Sequence, residues 1–432
     1  MKTLFLILAL ASGGPWSLTD CIEYALEHNI TVKQNEISVA QREVDLNTAE
    51  NRRLPGLSGS VSQNFSFGRG LTADNTYANT NTTSTSFSLG TDVPVFQGFD
   101  ITRGIQLGKL NLAAAMSDLE KVKEDISMAV AQAYVQILYS KEILKVAQSQ
   151  VETDLQLLSR VEAMRSSGKA SSAEVAAQQA TLAQANLSAT QAENNLKLAL
   201  LTLSQLLELQ TPEGFDVVEP DASAYAPRLL DSPDDIFAQA EGIKPGILSE
   251  QIRLDYADLN IKRAKGQYLP TLSLSGGLGT NFYTSSGYQS KPFGDQVQNN
   301  FSQYIGISLR VPVFSRFSIR NAVRSAQLTY DTQQLQLDNT RKNLYKEIQQ
   351  AYYNAVASQS KYASSAEAAA SAGKAYELTK EKYENGMANV TEYNQAKSRY
   401  LEAESNHLQS RYENVYQTMI LDFYRGVRLE FR

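Results

Sequence analysis

Residues 301–314, FSQYIGISLRVPVF, restrict the fold more than any other stretch, because their two parities differ in polarity. One carries Ile305, Ile307, Leu309, Val311 and Val313; the other carries Ser302, Gly306, Ser308 and Arg310, with Tyr304 as its single large ring. Alternation with period two sends these sets to opposite faces of a strand, one apolar and one wetted. A tilted strand of about nine to eleven such residues crosses a bilayer. Three further segments follow the same rule. Leu57, Gly59, Val61, Phe65 and Phe67 alternate with Ser58, Ser60, Ser62, Asn64 and Ser66. Phe87, Leu89, Val93 and Val95 stand opposite Ser86, Ser88, Gly90 and Asp92. Leu272, Leu274, Leu278 and Phe282 stand opposite Thr271, Ser273, Ser275 and Asn281. Paired in order through polar loops, the four segments predict two hairpins.

Long helical patterns separate the strands. Residues 18–54 hold no glycine or proline and read as one helix, stopped by Pro55 and Gly56. A second helix is predicted from Asp100 to Arg165, about 100 Å at 1.5 Å per residue. An uncapped helix of that length implies a coiled-coil or tubular architecture. Its end is RSSGKASSAE, with Gly168 as C-cap and Ser171 or Ser172 as the next N-cap. The helix that follows keeps heptads, with Val175, Leu182, Ala189, Leu196 and Leu203 at one position and Gln178, Ala185, Ala192, Ala199 and Leu206 three residues on. That is a seam for close helix packing. Pro212, Pro220 and Pro227, with Pro233 just beyond, mark a mid-chain break over 211–232. The plan then repeats: a helix over about 247–266, two strands with a polar loop between them, a long helix over about 317–384, and a last helix to about Arg425. Val311 follows Val93, Gly386 follows Gly168, Ala351–Tyr352 follow Ala133–Tyr134, and Glu392 follows Glu174, all at one identical spacing. A single offset across strands, helices and turns means an internal duplication.

Composition excludes several functions. One cysteine and two histidines among 432 residues leave almost no material for a zinc site, a thiol framework or a histidine base. Cys21 reads as a small buried hydrophobe, and His28 and His407 as ordinary wall residues without ligand-spaced partners. Without a triad, phosphate loop or metal spacing, no enzyme and no cofactor are expected. A net charge of −6 gives no nucleic-acid surface. The opening MKTLFLILALASGG, residues 1–14, reads as a secretory signal peptide, and no other run approaches the length of a membrane-spanning helix.

Four membrane-type strands cannot close a barrel, and an open edge facing lipid leaves N–H and C=O groups unpaired. Several chains must therefore share one barrel. Small hydroxylated residues on the wet face suit a water-filled lumen. The residues alone thus point to an oligomeric channel, a short β-barrel continued by a long helical tube.

The signal peptide, the LP joints at Leu54–Pro55 and Leu269–Pro270, the doubled VPVF and the glycine turns at matching offsets resemble the TolC family of outer-membrane efflux proteins. The likeness runs from about Trp16 to the C-terminus. It implies an α+β membrane channel: a long antiparallel α-helical coiled-coil tunnel plus two β-hairpins, which contribute four strands to a shared trimeric 12-stranded β-barrel. The signal peptide would span 1–14, the first repeat 15–210, an equatorial linker 211–232 and the second repeat 233–432. The resemblance further implies a homotrimer set in outer-membrane lipid of a Gram-negative bacterium, with its tunnel in the periplasm. Its partners would be a periplasmic adaptor and an inner-membrane transporter, docked at the tip turns Gly168–Lys169 and Gly386–Met387. At the tip gate, Tyr383 stands at the position of the family's gate tyrosine and Glu174 at its acidic partner. Glu392 and Gln395 occupy the two positions that ring the tip pore. A ring of three Glu392 side chains favours cations. Ala388 stands where the family has its gate arginine, so closure must rest on other contacts.

Other readings stand beside these. Glu174 and Glu392 also suit the first turn of a helix as dipole partners. Tyr376, Tyr383, Tyr393 and Tyr400 form a packing stripe, and Phe96, Phe99, Phe314 and Phe317 an aromatic girdle at the barrel rim. A type I protein secretion duct shares the same fold. A secreted coiled-coil adhesive protein does not require so clean a split of the strand faces. The cargo stays open among drugs, metal ions, siderophores and secreted proteins, with dedicated copper or silver export less attractive for want of histidines and methionines.

Overall fold

Asn29, neither glycine nor proline, breaks the first predicted helix in two. The computed structural model describes residues 14–71, 75–211, 213–220, 229–286 and 289–431. All but the last residue of the expected signal peptide, and part of the 211–232 linker including Pro212 and Pro227, lie outside the described residues. Ser17 starts α1 (Leu18–His28) with a capping box closed by Asp20. At Asn29 the backbone leaves helical geometry (ψ 131°), and α2 (Ile30–Asn51) begins. Asn29 Oδ1 accepts from the Thr31 N–H at 2.9 Å. A short amide that bonds the backbone two residues on competes with the helix ladder.

β1 (Gly56–Leu71) and β2 (Tyr77–Gln97) form the first hairpin and lead into α3 (Asp100–Ser166) and α4 (Ser172–Leu206). After the linker come α5 (Pro233–Ile243), α6 (Pro245–Gly266), β3 (Thr271–Ser285), α7 (Phe293–Asn299), β4 (Ser302–Arg310), α8 (Ser318–Glu384) and α9 (Val390–Tyr424). Lys244 separates α5 from α6 because Pro245 drives the residue before it out of the helical region. α3 and α8 are each 67 residues long, and α4 and α9 are each 35. Both pairs keep the offset of the glycine turns, whereas α5 and α6 follow α1 and α2 at a slightly shorter one. The second copy therefore gains three residues within its hairpin. The backbone repeats too. Gly98 and Phe99 take positive φ before α3, and Arg316 and Phe317 do so before α8. Phe99 meets Phe96 edge-on, and Phe317 meets Phe314 likewise.

The strands form one antiparallel sheet in the order β1-β2-β3-β4. Its register superposes the parities read from the sequence. Gly59 pairs with Leu89, which pairs with Leu278, and Leu274 pairs with Ile307, all on one face. Ser60 pairs with Ser88, which pairs with Gly279, and Ser275 pairs with Gly306, all on the other. A one-residue slip in any strand would mix the faces. β4 stops at Arg310, short of the predicted Val313, because its partner strand begins at Thr271 and Pro312 has no N–H to donate. β2 does run through Val93-Pro94-Val95, with a bulge between Pro94 and Phe96. The β3–β4 connection, expected to be a loop, contains α7. Its Phe293 packs edge-on against Phe87 and Phe282, and Gln296 bonds the Tyr283 backbone in both directions.

Two compact units result, and each draws on both halves of the sequence. One comprises Val39–Ala115 and Glu250–Leu337 and holds the sheet. There Asp100 receives Arg263 at 2.7 Å and Arg52 at 3.6 Å. The other comprises the chain up to Ser38, Met116–Ser249 and Asp338–Arg432. Its main core gathers around Tyr134, Ile137, Leu138 and Leu203, with Cys21 fully buried. Burial pushes the Cys21 thiol up to about 12, with Asp20 adding to the rise. Tyr134 donates its hydroxyl to the Val218 and Trp16 carbonyls, and Trp16 pairs with Val217 in a parallel bridge. The C-terminal Leu429 and Phe431 join the same cluster. The predicted α4 seam is buried at Gln178, Ala185, Ala192 and Ala199. Among the described residues no helix is long and apolar enough to cross a membrane.

Candidate functional site

The two helix-to-helix turns are copies of one design. Gly168 takes φ +74° and Gly386 φ +73°. The Lys169 N–H donates to the Met164 carbonyl at 2.8 Å and Gly168 to Arg165 at 3.0 Å; Met387 bonds Lys382 and Gly386 bonds Tyr383 in the same way. These are paired Schellman ends, in which a left-handed residue satisfies the last carbonyls. Gly168, Lys169, Gly386 and Met387 are all exposed. Each return helix then opens with a capping box: Ser171 with Glu174, and Asn389 with Glu392. The Ser171 N–H donates to Glu174 Oε2 at 2.6 Å, and the Asn389 N–H to Glu392 Oε2 at 3.4 Å. Both glutamates therefore serve their helix starts while remaining exposed.

Tyr383, in the last turn of α8, is half-buried and stacks on Tyr393 with centroids 5.0 Å apart. Burial raises its phenol pKa, Arg160 opposes the rise and Glu174 adds to it. Tyr376 and Tyr393 share a hydroxyl hydrogen bond of 2.9 Å, and Tyr400 lies parallel to Tyr376. The tyrosine stripe is packing, joined by Leu157, Val161 and Val175. Glu392 and Gln395, three residues apart on α9, share an exposed face. The structure thus brings Tyr383 into the field of Glu174 and sets Glu392 beside Gln395. No hydrogen bond or ion pair among the described residues joins these two sets.

Two features escaped sequence reasoning. Arg160 of α3 donates to the Glu384 carbonyl at 3.1 Å and lies 3.7 Å from the Glu384 carboxylate, bridging to the end of α8. Its counterpart in the duplication is Leu378, and that mismatch was the available signal. Deeper in, Asp154 of α3, Gln178 of α4 and Lys397 of α9 meet out of water, with 0%, 0% and 4% exposure. Lys397 Nζ donates to Asp154 Oδ1, which also accepts from Gln178 Nε2 at 3.2 Å; Asp154 Oδ2 accepts from Gln150 at 2.5 Å. Burial lowers the Lys397 pKa and the bond to Asp154 opposes that fall. Gln150, Asp154 and Lys397 line a groove of about 610 Å³ between α3, α4 and α9.

The sequence profile of the family described as outer membrane efflux proteins matches residues 21–208 and 238–420. The pyoverdine export outer membrane protein OpmQ of Pseudomonas putida is 27% identical over 250 residues, 57% of this chain and half of that protein's length. The outer membrane protein TolC of Escherichia coli is 22% identical over 357 residues, 79% of this chain and 71% of that one. Among solved structures, CusC, which forms a transmembrane channel, superposes with a TM-score of 0.80 at 16% identity, covering 95% of this chain and 92% of that one. The outer membrane protein VceC of Vibrio cholerae gives 0.77 at 16% identity, covering 96% and 97%. Both halves of the duplication match the profile, and these two structures share the fold at almost full length. The chain therefore belongs to the outer membrane efflux protein family and resides in the outer membrane.

Proposed function

We propose that the chain is the outer-membrane exit duct of a tripartite efflux pump. The observation that carries this reading is the sheet, with one apolar face, one face dominated by small polar residues and, among the described residues, unpaired edges at β1 and β4. In lipid such edges must pair, and the partner of matching geometry is another copy of the chain. Three copies close a 12-stranded barrel, and the helical hairpins continue it as a tunnel. The duct is passive: it performs no chemistry and spends no energy. The exposed turns at Gly168–Lys169 and Gly386–Met387 meet a periplasmic adaptor, and through it an inner-membrane transporter. The cargo is small molecules, a class supported by the pyoverdine export relative.

At the tip, Glu392 and Gln395 face the pore, and Tyr383 with its acidic partner Glu174 stands at the gate. Three Glu392 carboxylates favour cations at the constriction. Capping and filtering coexist, because Glu392 Oε2 alone takes the Asn389 N–H. The test is single-channel recording of purified protein in planar bilayers beside Glu392→Gln. Small cation-selective currents that lose their selectivity in the variant are expected. Unchanged selectivity would move the filter off Glu392, and silence in every variant, Tyr383→Ala included, would overturn the duct.

A further inference from the structure

The Asp154–Lys397 pair is not needed for packing. Charges taken out of water gain little net stability, and apolar residues of similar volume often do as well or better. The second copy of the duplication shows such a solution: Ala372 and Ala396 stand where the first has Asp154 and Gln178. The first copy instead keeps a carboxylate that accepts from Lys397, Gln178 and Gln150, on α9, α4 and α3 itself. A polar residue at one seam position fixes register, because any other alignment strands it. A shift of α9 by one heptad would carry Lys397 away from its carboxylate, among the alanines and leucines of the seam. Asp154 would be left buried without its cation.

Lys397 lies five residues after Glu392 and four after Tyr393, about 7 Å along the helix at 1.5 Å per residue. Whatever fixes Lys397 fixes those two side chains. The tyrosine cluster with Leu157, Val161 and Val175 also joins the hairpins here, but through apolar contact that carries no directional seat. The polar tie from Arg160 to Glu384 has side chains 43% and 47% exposed and so holds weakly. We propose that Lys397, seated on Asp154, is the positioning residue that sets the register of α9 against the α3–α4 hairpin and thereby places Glu392 and Tyr393 at the tip. Its effect on current rests on the duct reading above; its effect on geometry does not.

The test uses full-length protein in lipid nanodiscs, spin-labelled through Lys169→Cys and Met387→Cys on the two exposed turns. The native Cys21 has no solvent exposure and stays unlabelled. The distance distribution between the labels is read in four backgrounds. A narrow distribution is expected with native Lys397 and with Lys397→Arg, which keeps the charge. Lys397→Met is expected to broaden it about twofold by leaving Asp154 without its cation. Asp154→Leu and Gln178→Leu combined with Lys397→Met restores apolar packing without stranding the Gln178 amide; it is expected to melt near the native temperature yet to remain broad, because it lacks the directional seat. A narrow, native-distance distribution in either Met variant would overturn the proposal, since packing alone would then set the register. Bilayer currents from the same variants are recorded separately. Silence in all of them would sink the duct and leave the distance result standing.

Discussion

Asn29 and Lys244 do the same work with different chemistry. They occupy equivalent breaks in the duplication, between α1 and α2 and between α5 and α6. Asn29 Nδ2 donates to the Leu206 carbonyl at 3.0 Å, at the end of α4. Lys244 Nζ donates to the Phe423 carbonyl at 2.9 Å, at the end of α9. Each break thus caps the C-terminus of its own return helix, where carbonyls lack partners and the dipole favours positive charge. Lys244 adds more: it lies 3.2 Å from Glu124 and 3.8 Å from the centre of the Phe423 ring.

Lys244→Met should therefore destabilise the protein more than Asn29→Ala. The lysine change removes a charged hydrogen bond and leaves Glu124 without this ion-pair partner, a loss of about 2–3 kcal/mol. The amide change removes only neutral bonds, the one to the Leu206 carbonyl and the one its Oδ1 accepts from the Thr31 N–H, together worth about 1–2 kcal/mol. Thermal unfolding of the two variants in one detergent decides the order.

A turn glycine and a helix glycine predict a contrast of sign. At Gly386 nothing lies within 4 Å of an added Cβ, so Gly386→Ala meets only the backbone penalty of its φ of +73°. That costs about 1–2 kcal/mol. Gly104, inside α3, also has open space, and its φ is not positive. Gly104→Ala should stabilise by about 0.5–1 kcal/mol. Equal shifts in melting temperature from the two variants would contradict the strain argument.

Tyr393 gives the alkaline limit. Burial raises its phenol pKa, and its hydrogen bond to Tyr376 adds to the rise. The folded protein thus holds this proton above about pH 10, where an unfolded phenol releases it. The native state then binds more protons than the unfolded one, so stability falls as pH rises. Unfolding followed from about pH 8 to pH 11 should show that fall, and a shallower one in Tyr393→Phe.

What the sequence disclosed follows the range of each signal. The seam of Gln178, Ala185, Ala192 and Ala199 was legible because heptads repeat locally, and the strand faces because parity needs only neighbours. The start of α9 was legible at Glu392 through its copy at Glu174. The seat of Lys397 was not, since its carboxylate is 243 residues away and only tertiary packing joins them. α7 is seven residues long, too short for periodicity to register. The end of β4 at Arg310 depends on where β3 begins, which β4 itself does not encode. Gln178 is the instructive case: its heptad position sets it in the seam, but nothing local reveals that its amide serves Asp154.

The two sheet faces make a paired prediction at adjacent residues. Ile307 belongs to the apolar face and Ser308 to the small polar one. An arginine facing lipid near mid-bilayer costs about 2–4 kcal/mol, whereas one facing a wet lumen costs little. Ile307→Arg should reduce the yield of heat-resistant oligomer, and Ser308→Arg should assemble normally while altering conductance. The reverse order would exchange the faces.

Tyr304 and Gly277 link the sheet to current. They pair across β3 and β4 on the small polar face, and Gly90 completes the row. A Cβ at Gly277 would lie 2.7 Å from Tyr304 Cε1 and 3.0 Å from its Cζ. The glycine therefore gives the ring room to lie along the wall. In Gly277→Ala the ring must swing away, and a swing off the wall carries it toward the lumen. Three displaced rings per barrel should narrow it and lower single-channel conductance. Tyr304→Ala added to Gly277→Ala should restore or raise it, because the obstruction is then gone. The Leu89 carbonyl also stands 3.1 Å from the added Cβ, so a share of the effect will be local backbone adjustment that Tyr304→Ala cannot relieve. Conductance equally low in the single and double variants would assign the whole effect to that adjustment and remove Tyr304 from the account of the pore.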